Sequence, residues 1–375
     1  MKKWIWERED YPNFTYDKTK VDFLIEKVSQ EQGYLIAMSE VMNQDAITQK
    51  QLEALENEAI NTSAIEGEIL NRDSVKASIN KRFGLRDIDY TKIDETTDNL
   101  IEILIDANTN YNEDLTLERL FGWYHALFPK GYSGFIKINI ASFREEETMQ
   151  VVSNIAGIEK VYYEAPPRNR LEKEMKDFLE WFNSEPTYII KAAIAHLWFV
   201  IIHPFDDGNG RIARAVTDLV LSKIERSKIS KLYSMSSAIN ADRKGYYNAL
   251  EHTTGYIKRS DNYLDITTWC IWFLETLHIT LIDTRKKFHY IINKTKFWDK
   301  FQDSKLNARQ IKVLNRILDA GVENFLGDLS KKKYIKIADT TPSTASRDIA
   351  ELLEFGCIKQ VEGTQGRNIR YRIVI

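Results

Sequence analysis

The longest apolar run of the chain, from Ala192 to Ile202, is interrupted only by His196 and stops at His203-Pro204. It is too short to span a bilayer, so it reads as a helix buried on all sides. Pro204 disfavours helical geometry at the residue before it, which puts the helix end at His203. The residues that follow, Phe205-Asp206-Asp207-Gly208-Asn209-Gly210-Arg211, include a Gly-Asn-Gly run that tolerates unusual backbone angles. Beyond it Ile212, Val216, Leu219, Val220 and Ile224 recur on one helical face. A buried helix, a polar loop and a second helix must therefore run through the middle of any fold this chain adopts.

The loop concentrates phosphate chemistry. Exposed backbone N–H groups at the start of the second helix form an anion-binding nest. Arg211 and Arg214 add two fixed positive charges suited to phosphate oxygens. Asp207 is a ligand type for Mg²⁺ bridging phosphates. His203 stands at the lip, where a neutral imidazole can take a proton. Singly, these residues read as a helix cap, a turn and a solvated face; together, every residue type serves one task.

The remainder sets the frame. At 375 residues the chain has room for two or three domains, and 43% hydrophobic residues supply a core without a metal or disulfide staple. A net charge of −3 argues against a nucleic-acid-binding protein as a whole. The two cysteines, Cys270 and Cys357, sit in apolar surroundings and read as reduced thiols, and without a Cys-x-x-Cys pair no structural zinc is expected. The polar start after Trp4 lacks the apolar stretch of a signal peptide, so a cytoplasmic protein with no membrane segment is expected.

Helical patterns occupy 21–42, 48–60, 73–82, 94–108, 116–127, 171–183, 188–202, 212–226, 246–253 and 266–294. One hairpin interrupts them: Met149 to Val152, a turn over Ser153-Asn154-Ile155-Ala156-Gly157, and Lys160 to Glu164, stopped by Pro166-Pro167. A polar bridge from Asp299 to Asn307 precedes a tail that reads as a winged helix-turn-helix.

The central segment matches H-x-F-x-D-G-N-G-R-x-x-R at all eight fixed positions, and by it the chain resembles the Fic family. The Trp-rich start, the segment Thr62-Ser63-Ala64-Ile65-Glu66-Gly67, the hairpin and the tail resemble a subgroup of protein adenylyltransferases with an N-terminal inhibitory helix. The resemblance implies a mainly α fold, with a Fic helical core, a short β-hairpin flap and a C-terminal winged helix-turn-helix. It divides the chain into a helical domain with the inhibitory helix (1–110), the catalytic core (111–295) and the winged helix-like domain (306–375).

The implied activity is transfer of AMP from ATP, with Mg²⁺, to a Ser, Thr or Tyr hydroxyl of a protein, self-modification included. His203 would be the general base, Phe205 a packing anchor and Asp207 the metal ligand. Gly208, Asn209 and Gly210 would cradle the α- and β-phosphates. Arg211 would contact phosphate near the leaving group, and Arg214 the γ-phosphate. Tyr247 and Asn248 lie where the family lines its adenine pocket, and the hairpin would pair with an extended target segment. Thr62, Glu66 and Gly67 match the inhibitory pattern [S/T]-x-x-x-E-[G/N], with Glu66 expected to form a bidentate pair with Arg214.

The tail holds twelve Lys and Arg against eight Asp and Glu, net +4, which leaves −7 for the rest. Its third helix sets Arg347 among Asp348, Glu351 and Glu354, so only the wing, with Arg367, Arg370 and Arg372, suits phosphate. A docking or homodimerising role is favoured there and DNA binding is left open. Two other readings stand beside AMP transfer: a transcriptional regulator using a Fic fold as sensor, and a Fic enzyme with phosphotransfer or deAMPylation activity.

Overall fold

The computed structural model describes all residues but 1–3, 86–88, 146–147, 156–157, 227–231, 256–263 and 322–324, and leaves out the side chains of 152–155, 158–160 and 367. The chain is mainly helical and divides into two compact units, residues 1–282 and 283–375. In the first, α1 (Lys18–Glu40), α2 (Gln44–Ile65), α3 (Arg72–Arg82), α4 (Glu95–Thr109) and α5 (Leu117–Leu127) come before any strand. Their starts are chemically marked. Asp17, Asn43, Asn71, Asp94 and Thr116 each accept a hydrogen bond from a first-turn N–H of the helix they precede.

Two antiparallel ladders follow: β1 (Tyr132–Ser133) with β2 (Ile136–Lys137), and β3 (Gln150–Ile155) with β4 (Ile158–Glu164). The second is the expected hairpin, but its strands run further than the sequence suggested. Ser153, Asn154 and Ile155 pair with Lys160, Glu159 and Ile158 instead of forming a turn, while Ala156 and Gly157 lie outside the described residues. Cross-strand pairing outweighs their turn propensity. The β1–β2 ladder was not read from sequence.

Next come α6 (Leu171–Ser184), α7 (Ile189–Ile202), α8 (Asn209–Glu225), α9 (Met235–Ala241), α10 (Arg243–Thr254) and α11 (Thr267–Lys300). α7 is the apolar run, buried all round save Val200. Its one cation, Lys191, is buried and donates to the carbonyls of Phe182 (2.7 Å) and Glu185 (2.5 Å), capping the end of α6. Burial lowers its pKa to about 8. α8 packs on α7, α4, α5 and α2. It begins at Asn209, three residues before the apolar stripe, and α2 runs to Ile65, past the expected 60. The seven residues of α9 escape periodicity because they span barely two turns. α9 matters nonetheless: the buried Glu58 carboxylate of α2 accepts from the Ser234 hydroxyl (2.7 Å), the Ser236 N–H (3.2 Å) and the Ser236 hydroxyl. α2 is thereby held along its second half. Among the described residues no helix is long and apolar enough to cross a membrane.

In the second unit α12 (Ala308–Ala320), α13 (Lys331–Ala338) and α14 (Pro342–Glu354) precede a short ladder of β5 (Ile358–Gln360) with β6 (Tyr371–Ile373). Val313, Leu314, Ile317, Tyr334, Ile349 and Leu352 fill its core. Cys357 is buried there, as Cys270 is in the first unit, and both thiols are free. Asp348 of α14 is fully buried. It accepts from Arg309 Nε (2.9 Å) and Nη2 (3.0 Å), the Tyr334 hydroxyl (3.0 Å) and Asn307 Nδ2 (3.2 Å).

Burial pushes the Asp348 carboxyl upward, but hydrogen bonds from Arg309, Tyr334 and Asn307 outweigh it and hold the group below its ordinary value. A depressed folded-state pKa means the stabilisation is present above the unfolded value and lost as pH falls through the folded one. Asp348→Ala should destabilise this unit by about 1–3 kcal/mol at pH 7, because it leaves the buried Tyr334 hydroxyl without its acceptor while Arg309 turns to solvent. Hydrogen exchange of the α12–α14 amides should show that loss, and the difference from wild type should shrink in acid.

Candidate functional site

His203 ends α7 with φ 50° and ψ 58°, a left-handed conformation that costs a non-glycine residue energy and persists only where neighbours hold it. Here the neighbour is Arg144, fully buried, which no sequence pattern singled out. Its Nε donates to the His203 carbonyl (2.9 Å), its Nη2 to the Pro166 carbonyl, and its backbone N–H to the Pro204 carbonyl (3.0 Å). One guanidinium thus ties the turn at His203 to the exit of β4. A second tie runs beside it, since the buried Tyr163 hydroxyl of β4 donates to the Ile201 carbonyl (2.6 Å).

The imidazole Nδ1 lies 3.4 Å from the Val200 carbonyl, an acceptor, so Nδ1 carries the proton and Nε2 keeps its lone pair. Burial, then the charge of Arg144, pushes the His203 pKa down to about 4. A neutral base is therefore available throughout the physiological range.

Behind His203 the loop is built on Phe205, which is fully buried and stacked on Tyr124 at 4.3 Å between ring centroids. Asn209 does not turn its side chain to the cradle. Its Oδ1 accepts from the Phe205 N–H (3.0 Å) and its Nδ2 donates to the Phe205 carbonyl (2.8 Å), so it locks the loop and leaves only its backbone N–H to the nest. Gly208 has φ 77°, and a Cβ there would press on Leu127 and Phe128 at 3.0 Å. Asp206 accepts from the Asn139 N–H (2.9 Å). Asp207 accepts from the Gly208 N–H (2.5 Å) and from the Ser133 hydroxyl of β1. Asp207 stays half-buried at the edge of the nest, a single carboxylate of the kind that holds Mg²⁺ together with substrate phosphates.

α2 ends against this loop. Glu66 closes the helix and Gly67, at φ 87°, reverses the chain: the Gly67 N–H donates to the Ala64 carbonyl and the Glu68 N–H to the Ser63 carbonyl, both at 3.0 Å. Arg214 is buried and donates through Nε to the Thr62 hydroxyl (2.7 Å), and through Nη2 to the Thr62 carbonyl (2.9 Å) and Glu66 Oε1 (2.7 Å). The pair with Glu66 is thus single, not bidentate, because Thr62 takes the Nε edge. The Glu66 carboxylate also lies over Gly210, where any Cβ would collide with it. Arg211 donates to Glu68 Oε2 (2.6 Å), a residue the sequence reading passed over.

A cavity of about 800 Å³ opens from His203 and Gly210, with Glu66 at one side, Val151, Tyr162 and Tyr163 of the hairpin, and Tyr246, Tyr247 and Asn248 of α10. Tyr247 is exposed, and its hydroxyl donates to the Ile65 carbonyl (3.3 Å). Tyr246 is buried and its hydroxyl meets His196 Nε2 (3.1 Å). Thr217 gives its proton to the Ala213 carbonyl, so His196 Nδ1 must donate to Thr217 (2.9 Å) and Tyr246 to His196. Burial keeps His196 neutral, with a pKa near 3. Behind Tyr246, which lines the cavity, a fixed chain of donors therefore links α10, α7 and α8. A cavity of this size, opening at a base and at Gly210 of the loop and carrying Arg243 and Lys244 on its wall, suits a phosphorylated small molecule.

Arg144→Met should move the His203 pKa part of the way from about 4 towards the ordinary 6.5. An NMR titration of the imidazole measures it, and an unmoved curve would leave burial as the whole cause.

Comparison with known proteins places these features. Residues 4–85 match a domain of unknown function, DUF4172, and residues 114–221 match the Fic/DOC family. A 55-residue stretch is 44% identical to the protein adenylyltransferase fic-1 of Caenorhabditis elegans, covering 14% of this chain and 11% of that one. A probable protein adenylyltransferase of Aquifex aeolicus is 25% identical over 114 residues, 29% of this chain and 31% of its own length. The chain thus spans well under half the length of these curated relatives. Among solved structures, a Fic family protein from Desulfovibrio desulfuricans G20 superposes with a TM-score of 0.54 over 97% of this chain and 98% of its own, at 17% identity, a likeness of fold.

Proposed function

We propose, from a chain that carries a Fic/DOC domain at residues 114–221, that this protein transfers AMP from ATP to a Ser, Thr or Tyr hydroxyl of a protein, itself included, and that Glu66 restrains it. The observation that carries the reading is the Glu66 carboxylate lying over Gly210 and 2.7 Å from Arg214. An anion of the protein's own stands in an anion site, beside a neutral histidine facing a nucleotide-sized cavity. The names of the relatives support the choice of chemistry.

In this reading the adenosine end occupies the side of the cavity lined by Tyr247 and Asn248. The N–H groups of Asn209 and Gly210 receive phosphate oxygens, while that of Gly208 is held by Asp207, and Arg211 and Arg214 hold the outer phosphates. The target hydroxyl comes along the hairpin. His203 Nε2 takes its proton as the oxygen bonds to the α-phosphorus, and the bond from that phosphorus to the β-phosphate bridging oxygen breaks to release pyrophosphate. Asp207 would hold Mg²⁺, which neutralises phosphate charge when bound. The left-handed turn, fixed by Arg144, sets where Nε2 stands, so the base needs no rearrangement before reaction. In the 283–375 unit the Arg372 guanidinium is engaged by Asp328 at 3.0 and 3.2 Å, and Asp348 of α14 is buried. Both features favour protein docking, a second copy included, over DNA reading.

Incubation with Mg²⁺ and α- or γ-labelled ATP tests the transfer. Label from the α position alone is expected on protein, and γ-label on protein would replace this reading with phosphotransfer. His203→Ala should lower α-labelling by about 10²–10⁴-fold with ATP binding retained. Glu66→Gly should raise it roughly tenfold to a hundredfold, the range of one charge-assisted hydrogen bond released from Arg214. Equal labelling by a folded Glu66→Gly protein would leave Glu66 as an ordinary helix end.

A further inference from the structure

The turn that presents Glu66 presents a second carboxylate. Gly67 reverses the chain, so Glu66 and Glu68 project from one closed, hydrogen-bonded turn and not from a free loop. Glu66 reaches Arg214, and Glu68 Oε2 stands 2.6 Å from Arg211 Nη1. The two arginines lie three residues apart, Arg211 on the first turn of α8 and Arg214 on the second, so they are neighbours on the helix surface just past the nest. The Arg211 side chain is only 3% exposed, packs over the Phe128 ring at 5.1 Å, and has no hydrogen-bond partner at Nε. Glu68 therefore engages a desolvated guanidinium, although its own side chain is 42% exposed.

The placement works against Glu68 in other respects. Burial raises its pKa, Arg211 lowers it, and Asp207 and Glu66 raise it further. Three carboxylates converge on one loop, an arrangement that the two arginines, the nest and the Ser133 hydroxyl offset. A donor carrying several phosphates would bring its own charge to the same groups and must displace what is there.

We propose that Glu68 is a second inhibitory residue: by pairing with Arg211 it withholds a donor-phosphate contact that Glu66 does not control. The 66–68 turn then occupies two anion positions at once, and removing Glu66 frees only one. The inference rests on the phosphate-binding reading of the loop given above. It predicts that Glu66→Gly is only partly activated.

The test is calorimetric titration of ADP with Mg²⁺, and of inorganic pyrophosphate, into the full chain as wild type, E66G, E68Q and E66G/E68Q. α-Labelling is measured alongside. Adding E68Q to E66G should tighten both ligands by about three- to tenfold, a range discounted for the exposure of Glu68. Labelling at subsaturating ATP should rise in step. E68D keeps the charge but shortens the reach, and should follow E68Q. If E66G/E68Q binds no tighter than E66G, the proposal is wrong. It also fails if E68Q tightens binding while E68D behaves as wild type, which would mark a bulk charge effect. Weaker ADP binding by E68Q only when Mg²⁺ is present would overturn it too, by placing Glu68 on the metal side. The two readings separate cleanly. Tighter pyrophosphate with no α-label on any protein would sink AMP transfer and leave the clamp standing. α-Labelling by E66G that ignores Glu68 would do the reverse.

Discussion

The site depends on one buried guanidinium. Arg144 gives its side chain to the carbonyls of His203 and Pro166 and its backbone N–H to Pro204. The carbonyl of a left-handed residue points away from the ladder of the helix it ends, and without a donor it would be a buried orphan. Arg144 supplies the donor, and its remaining reach fixes where the β3–β4 hairpin leaves the core. The base and the hairpin beside it are therefore not independent elements. The same charge, added to burial, keeps the imidazole neutral. One residue thus fixes the position of the base and adds to the burial that sets its protonation state.

Around that knot the protein has arranged an anion site and filled it from within. Gly208 and Gly210 leave room where side chains would collide, and Asn209 holds the loop shut from beneath. α2 then delivers a carboxylate to the opening. Its delivery is rigid for reasons along the helix: Glu58 is bound by Ser234 and Ser236, Asn61 donates to Ser237 (3.0 Å) and accepts from Asn240 (3.0 Å), and Thr62 takes two bonds from Arg214. A helix held at these three positions in its last two turns cannot swing without breaking buried polar contacts, each expensive in a low-dielectric interior. Restraint by Glu66 would accordingly be a property of the whole α2–α9 contact.

Local signals carried much of the architecture. The long periodic helices α4, α5, α6 and α7 fall within two residues of where apolar spacing put them, because their buried faces, and in α4 and α5 their capping residues, act over a single turn or two. The loop after α7 was equally legible, since Pro204 and the Gly-Asn-Gly run restrict backbone angles by themselves. Signals that depend on partners failed. Ser153 and Asn154 are turn formers that joined a strand once β4 lay beside them, and α9 forms on buried contacts with α2 that its seven residues do not announce.

The sequence alone determined the order of the long helices, the break at His203 and the presence of base, carboxylate, nest and arginines in one stretch, because each is a consequence of covalent geometry or short-range spacing. Which of those groups face one another was decided only by tertiary structure. Arg144 lies 59 residues from His203 and Glu68 lies 143 from Arg211. Nothing in a charge or a spacing says that Thr62 takes one edge of Arg214 and leaves Glu66 a single bond. Those pairings exist because packing α2 and α8 around the same core removes water from them, and a buried charge must then take whichever partner the fold brings within reach.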